Sequence, residues 1–448
     1  MSAPALPASA SLTGLPRAFA SWTLAHGIQR RTLQYAARRG QLTAQLAIDP
    51  PTMADPFATY ERLRARGTIE RGPVVCATVD HAAANQVLRS DDFGTGAGKG
   101  ELPAPLQRLF NRIADPYTLS PVDPPSLLAV DPPEHTLHRK LVARAFTARR
   151  IALLREQVGT VAESLLDTLE AERAERFDLV DRFAARLPVA IIAALLGVPD
   201  HEHDQLLDWG NRAAITLDPG LTFRQYRDAA DALRQMHHWF DDHVDRLRRD
   251  PGDDLISQLA VLEGDDALTQ LELRAIGLLV LGAGFETTVN LIGNAVVDLS
   301  NHPDQRALVL AEPERWGNTV EEVLRFDSPV QLTMRAALRD TIVAGEPIGA
   351  GEAMLVLLGG ANRDPAVFAD PARFDISRAN ADQHVAFSAG VHFCAGASLA
   401  RLEATTALEA LYRRYPDLEL AGPPVRRGTR VLRGYEHVPV SVGARVRT

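Results

Sequence analysis

The stretch Phe387-Ser388-Ala389-Gly390-Val391-His392-Phe393-Cys394-Ala395-Gly396 sets a thiol between two glycines, and a helix-like run follows from Leu399 to Glu403. Glycine lets a backbone come close to a flat partner and turn its N–H groups toward the sulfur. A thiolate at the start of a helix is stabilised further by the positive end of the helix dipole. The chemistry this suits is axial ligation of a haem iron, in which sulfur pushes electron density toward an oxygen bound on the opposite side. A buried structural cysteine is the competing reading, since that is the ordinary fate of a lone thiol. The fixed residues around Cys394 weigh against it.

A second group lies in the apolar run Leu278 to Ile292, where Glu286-Thr287-Thr288 places a carboxylate and two hydroxyls among aliphatic side chains. An unpaired polar group in such a setting costs a few kcal/mol. Gly282 and Gly284 each cost a helix ~1 kcal/mol relative to alanine. Local rules tend to break where function overrides them. Otherwise the threonines bond back to their own helix and Glu286 pairs with a remote arginine. A third group opens a helix at Asp131-Pro132-Pro133-Glu134, where His135 and Arg139 stand four residues apart on one face. Two such donors can hold a pair of carboxylates. His138 is out of that register and receives no role.

The order Phe-x-x-Gly-x-His-x-Cys-x-Gly-x-x-Leu-Ala-Arg over residues 387–401 resembles the haem-binding signature of the cytochrome P450 family. Ala283-Gly284-Phe285-Glu286-Thr287 resembles its oxygen-activation motif, and His135-x-x-x-Arg139 its propionate clamp. The resemblance covers roughly residues 55 to 440, with the motifs in family order. It implies haem b ligated by Cys394 as the metal ligand. Phe387, Gly390, His392 and Gly396 would cradle it, and His135, Arg139 and Arg335 would hold its propionates. Ala283 and Gly284 would let the helix pass over the iron. Glu286 would relay protons and Thr287 would steady the reduced oxygen. By the same resemblance Glu322, Arg325 and Arg373 form a buried triad bracing the cysteine loop, and Val330 to Thr333 line the pocket with Gln331 and Thr333 as polar handles. The residues around 201–217 and 223–249 would be the mobile helices over the distal pocket, and the Gly- and Pro-rich 92–130 its roof, with Leu106 and Phe110 among its apolar side chains.

The elements that must position these groups are mostly helical. Thr269-x-x-Glu272 has the form of a capping box, and Asn301-His302-Pro303 ends the run, giving about thirty residues or ~45 Å of helix. It is apolar nearly all round, as a helix through the middle of a domain must be. Helical spacing recurs at Ile151, Leu154, Val158 and Val161 and again from Leu187 to Leu196, where Gly197-Val198-Pro199 stops it. Pro73 to Val79 reads as a strand that buries Cys76. The fold expected is mainly α, the helical prism of the cytochrome P450 family with a small β-sheet region. Residues 1–45 are expected as a basic helical extension and 46–448 as a single domain.

Of 448 residues, 46% are hydrophobic and 23% charged, with a net charge of −9, a balance that argues against nucleic-acid binding. Two cysteines make no disulfide framework, and the longest apolar run, Ala275 to Phe285, is too short for a membrane span. Arg17, Arg30, Arg31, Arg38 and Arg39 precede the first acidic residue, Asp49; a helix packed on the domain is favoured over a membrane-surface or targeting segment. The His201-Glu202-His203 triplet is read as solvent-facing rather than metal-binding. A monomeric, cytoplasmic protein follows.

The activity implied is monooxygenation of a hydrophobic small molecule by O2. No flavin or iron–sulfur motif is present, so a ferredoxin and ferredoxin reductase are the expected partners, and Arg149, Arg150, Arg401, Arg413 and Arg414 are candidates for their docking patch. The alternatives are a peroxide-driven oxygenase, which typically lacks the acid–alcohol pair, and a haem-binding carrier or sensor. A cysteine hydrolase using Cys394 and His392 is a more remote one.

Overall fold

The structure is a computed structural model that describes residues 14–72, 75–95, 115–264 and 267–443. Pro73, Val74, Leu106, Phe110 and the side chain of Arg149, each given an expectation above, lie outside the described residues.

Helices dominate. In chain order, those that matter here are α1 (Gly14–Trp22), α2 (Ile28–Arg38), α3 (Phe57–Arg64), α4 (Glu134–Ala143), α5 (Ala148–Ala171), α6 (Arg186–Leu196), α7 (His203–Ala213), α8 (Phe223–Arg249), α9 (Gln270–Asn301), α10 (Trp316–Phe326) and α11 (Ala397–Arg414). Gly197 closes α6 in the left-handed conformation, φ 72°, which glycine adopts without strain. Helix α9 begins at the capping box read from the sequence: Thr269 Oγ1 accepts from Glu272 N, and Thr269 N donates to Glu272 Oε2 at 2.8 Å. Its aliphatic residues enter one core with α5, α6, α8, α10 and α11. This helix is long and apolar enough to cross a membrane, but 72% of its most apolar window is buried inside the protein. His138 Nε2 lies 3.4 Å from Glu272 Oε1, tying α4 to the first turn of α9.

A five-stranded sheet flanks the helices. Its strands are β1 (Glu70–Arg71), β2 (Val75–Thr78), β3 (Phe93–Gly94), β4 (Thr333–Ala337) and β5 (Ala353–Val356), in the order β1-β2-β5-β4-β3. Strands β2 and β5 run parallel, and Cys76 on β2 is buried as expected. Antiparallel pairing sets Arg335 of β4 opposite Met354 of β5. Because side chains alternate along a strand, Met334 is exposed and Arg335 turns inward. A C-terminal hairpin, β6 (Val425–Arg426) with β7 (Tyr435–His437), lies close to α9: a Cβ added at Gly434 would stand 2.0 Å from Asn290 Oδ1.

Helices α1 and α2 lie against the loop that joins the α7 region to α8. Trp22 Nε1 donates to Leu221 O at 2.8 Å, Arg30 Nη1 to Gly220 O at 2.9 Å, and Phe19 meets the Phe223 ring edge-on. In the His201-Glu202-His203 triplet, Glu202 accepts from Trp239 and Arg246.

Candidate active site

The loop that carries Cys394 is held by backbone geometry first. Gly390 has φ +67°, and a Cβ there would stand 2.1 Å from Leu88 O. Cys394 N donates to Phe387 O at 3.0 Å, which closes the loop just ahead of α11. The Phe387 ring lies under the Arg401 guanidinium at 4.6 Å, and Arg401 pairs with Glu321 of α10. That pairing, with a bond from His384, outweighs the burial of Glu321 and holds its carboxyl down to about 2. Cys394 is exposed as a residue, yet protein surrounds its thiol closely enough for burial to push it up. Both hold if the sulfur stands at the bottom of a slot. The Gly396 N–H and the charges of Arg139 and Arg401 act in the opposite direction and favour the thiolate. For Gly390→Ala we expect a loss of about 2–4 kcal/mol, from left-handed strain plus overpacking. Thermal melting of the purified variant checks this.

Around the loop the structure collects nitrogen donors that lack acceptors. His135 and His392 meet ring to ring at 4.3 Å, and Nε2 of each is buried without a hydrogen bond. Arg139 makes no hydrogen bond or ion pair among the described residues. Arg335 is buried and, among the described residues, donates only to Thr333 Oγ1 and Met334 O. Burial holds it down to about 10, opposed by the charge of Asp131. Burial, then the charges of Arg335 and His135, lower His392 to about 4. Asp131, 3.7 Å from His392, is the carboxylate facing this set, and it is already bonded to Thr95 N. Buried donors without acceptors are costly unless a ligand supplies them. Two carboxylates on a flat group above the sulfur would satisfy these donors, so the residues present fit a haem with its propionates.

The third wall is the middle of α9. Leu281 and Phe285 are buried, whereas Ala283 is exposed and Gly282 and Thr287 are partly so. Such a window in a core helix means that open space lies beside it. Gly284 corrects one expectation: a Cβ there would stand 2.5 Å from Ile192 Cδ1, so its smallness serves the packing of α6 on α9. Thr287 Oγ1 donates to Ala283 O at 2.8 Å. Glu286 is buried and turned toward the hairpin, with Oε1 3.1 Å from Arg427 Nη1. Neither carboxylate oxygen attains hydrogen-bond geometry, so this is an ion pair by proximity alone. Burial raises the Glu286 carboxyl, and Arg427 partly offsets it. Both sequence readings therefore meet here, with an acid and an alcohol on adjacent residues and both engaged by protein in the resting geometry.

Three expectations need correction. The third member of the buried triad is Arg378, whose Nε lies 3.3 Å from Glu322, while Arg373 is exposed and offers only its backbone oxygen to Arg325. Gln331 is no free handle, since it accepts from Tyr60 Oη and donates to Ser328 O; the Thr333 hydroxyl accepts from Arg335. Three arginines of the proposed patch are paired with acids. Arg413 and Arg414 pair with Glu163, Asp167 and Glu170 of α5, Arg401 with Glu321, and Arg150 bonds Asp253 O. One polar residue went unread: Glu403 of α11 is fully buried beside Thr288, and burial raises its carboxyl well above the usual range. Its helical spacing is that of any amphipathic helix, so no signal marked it.

Comparison with known proteins gives a consistent picture. The cytochrome P450 family model matches residues 317–421. A Mycobacterium tuberculosis protein assigned as cytochrome P450 140 is 47% identical over 426 residues, which cover 94% of this chain and 97% of that one. The vitamin D(3) 25-hydroxylase of Pseudonocardia autotrophica is 40% identical over 327 residues, covering 72% and 79%. Among solved structures, ligand-free CYP164A2 of Mycobacterium smegmatis superposes with a TM-score of 0.80 at 36% identity, covering 90% of this chain and 99% of that one.

Proposed function

Because the chain belongs to the cytochrome P450 family, we propose that this monooxygenase inserts one oxygen atom of O2 into a hydrophobic small molecule, with electrons from a separate ferredoxin and its reductase. The observation that carries the reading is an exposed Cys394, its thiol enclosed by protein, beside buried donors without acceptors. Cys394 would ligate the haem iron. His135, Arg139, Arg335 and His392 would hold the propionates. When bound, haem supplies the reductive activation of O2, with one oxygen atom going to substrate and the other leaving as water.

The chain's own part is binding and proton management. The apolar faces of α6 and α9 pack in one core beside the window at Ala283 and Thr287. The Thr287 hydroxyl donates to Ala283 O at rest and keeps its lone pairs free to accept a bond from an incoming group. Burial biases Glu286 toward its protonated form, and Arg427 biases it back, which suits a carboxyl that must both take and give a proton. The absence of a flavin or iron–sulfur motif supports an external electron source.

Labelled dioxygen tests the reading. With a surrogate ferredoxin, its reductase and a turned-over substrate, product carries one labelled atom; a carrier or sensor gives no product. For Thr287→Ala we expect electron consumption to continue while product per electron falls by about tenfold or more. Coupling at the wild-type level removes the role given to Thr287.

A further inference from the structure

Of the four arginines on the C-terminal hairpin, three have carboxylate partners. Arg426 and Arg433 pair with Asp327, and Arg427 with Glu286. Arg430 differs. Its guanidinium makes no hydrogen bond or ion pair among the described residues, and its Nε is sealed from solvent without an acceptor. The nearby carboxylate of Asp218 is occupied by backbone, accepting from Arg430 N at 2.8 Å and Val431 N at 2.9 Å. A guanidinium cannot shed its proton at neutral pH, so an enclosed one without a partner is costly to keep. Burial acts against its charge, and the charges of Tyr60 and Asp218 offset that only in part.

The rest of Arg430 faces a cavity. Tyr60, Leu46, Met53, Leu332 and Leu357 share its walls. Tyr60 Oη donates to Gln331 Oε1 at 2.9 Å and can still accept one bond. The cavity leaves about 20 Å³ for the centres of water-sized atoms, enough for one small polar group and too little for a whole substrate. Its walls adjoin elements of the site already described. The segment that supplies Leu332 runs into β4 and Arg335, and the hairpin that supplies Arg430 also supplies the partner of Glu286.

We propose that this cavity is an anion subsite in which Arg430 receives the carboxylate of an otherwise apolar substrate. A planar fork matches a carboxylate with two parallel N–H···O bonds, and the aliphatic walls suit the first carbons behind it. The substrate class of the monooxygenase is thereby narrowed to amphipathic acids, an inference that rests on the function proposed above. The same chemistry would accept a free inorganic anion, and the experiment separates the two.

The test is calorimetric titration of the haem-loaded wild type, Arg430→Gln and Arg430→Lys with dodecanoate, methyl dodecanoate and inorganic phosphate. The wild type is expected to bind the acid at least tenfold more tightly than the ester, and Arg430→Gln to lose that preference while binding the ester unchanged. Arg430→Lys keeps part of it. Equal affinity for acid and ester in the wild type overturns the proposal, whichever variants fold. A preference that survives in Arg430→Gln also overturns it. Binding of phosphate that depends on Arg430, without acid preference, makes the subsite one for a free anion and overturns the substrate assignment. A wild type that shows the carbonyl spectrum yet no acid preference refutes this inference alone; one without that spectrum refutes the function beneath it.

Discussion

The Cys394→Ser variant is expected to lose the reduced carbonyl spectrum of a thiolate-ligated haem, with oxygenation falling to the background of the reductase. The argument is about charge. Cys394 is enclosed, so without a metal its thiol is pushed up, and the Gly396 N–H, Arg139 and Arg401 only partly compensate. A bound cation reverses that balance and deprotonates a coordinating thiol outright. A serine hydroxyl has no accessible anion at neutral pH, so in the same enclosure it offers a neutral and weaker donor. The donors for the propionates are untouched by this change, so some haem can remain bound. What must vanish is the spectral signature of sulfur. A variant that retains both the signature and full haem content would defeat the functional reading.

Glu322→Ala carries the second large effect, on stability. Glu322 and Arg325 are both fully buried, and Arg325 donates twice to Glu322 and once each to Asn362 O, Pro371 O and Arg373 O. Arg378 leans on the same carboxylate, and Asp375 N donates to it at 2.8 Å. Removing the acid strands two guanidinium groups in the interior. Breaking a buried pair in this way costs about 3–5 kcal/mol, against a total stability of roughly 5–15 kcal/mol for a whole domain. Urea denaturation is expected to show a loss of that size, with poor soluble yield. A loss below about 1 kcal/mol would mean that the cluster does not brace the loop. Glu322→Gln, which keeps the shape and drops the charge, is expected to lose less, because the amide oxygen still accepts.

The triad also shows where reading the sequence stops. Glu322 and Arg325 stand one helical turn apart, so the chain itself pairs them. The third arginine depends on how the segment after Asp370 turns. Asp370 takes a positive φ of 45°, and the turn leaves Arg373 in solvent while Arg378 enters the interior. No local pattern distinguishes the two. The pairing of the arginines was hidden for the same reason: the acids that meet Arg413 and Arg414 sit on α5, some 250 residues earlier in the chain. The cysteine loop and α9 were legible because their demands are local. A positive-φ glycine, a capping box and a polar pair in an apolar run each leave a mark within a few residues. Gly284 was legible as an anomaly, though the cause, Ile192, was not.

The hold of α1 and α2 on the loop before α8 reaches further than the N-terminus. By resemblance, α7 and α8 are the pair that must swing for a substrate to enter. In this chain the loop between that pair is bonded by Trp22 and Arg30 of the α1–α2 segment. Swinging therefore either snaps those two bonds or drags the leading segment along as ballast. If the pair moves as the resemblance implies, admission of substrate would depend on Gly14–Arg38 as well as on the helices that move.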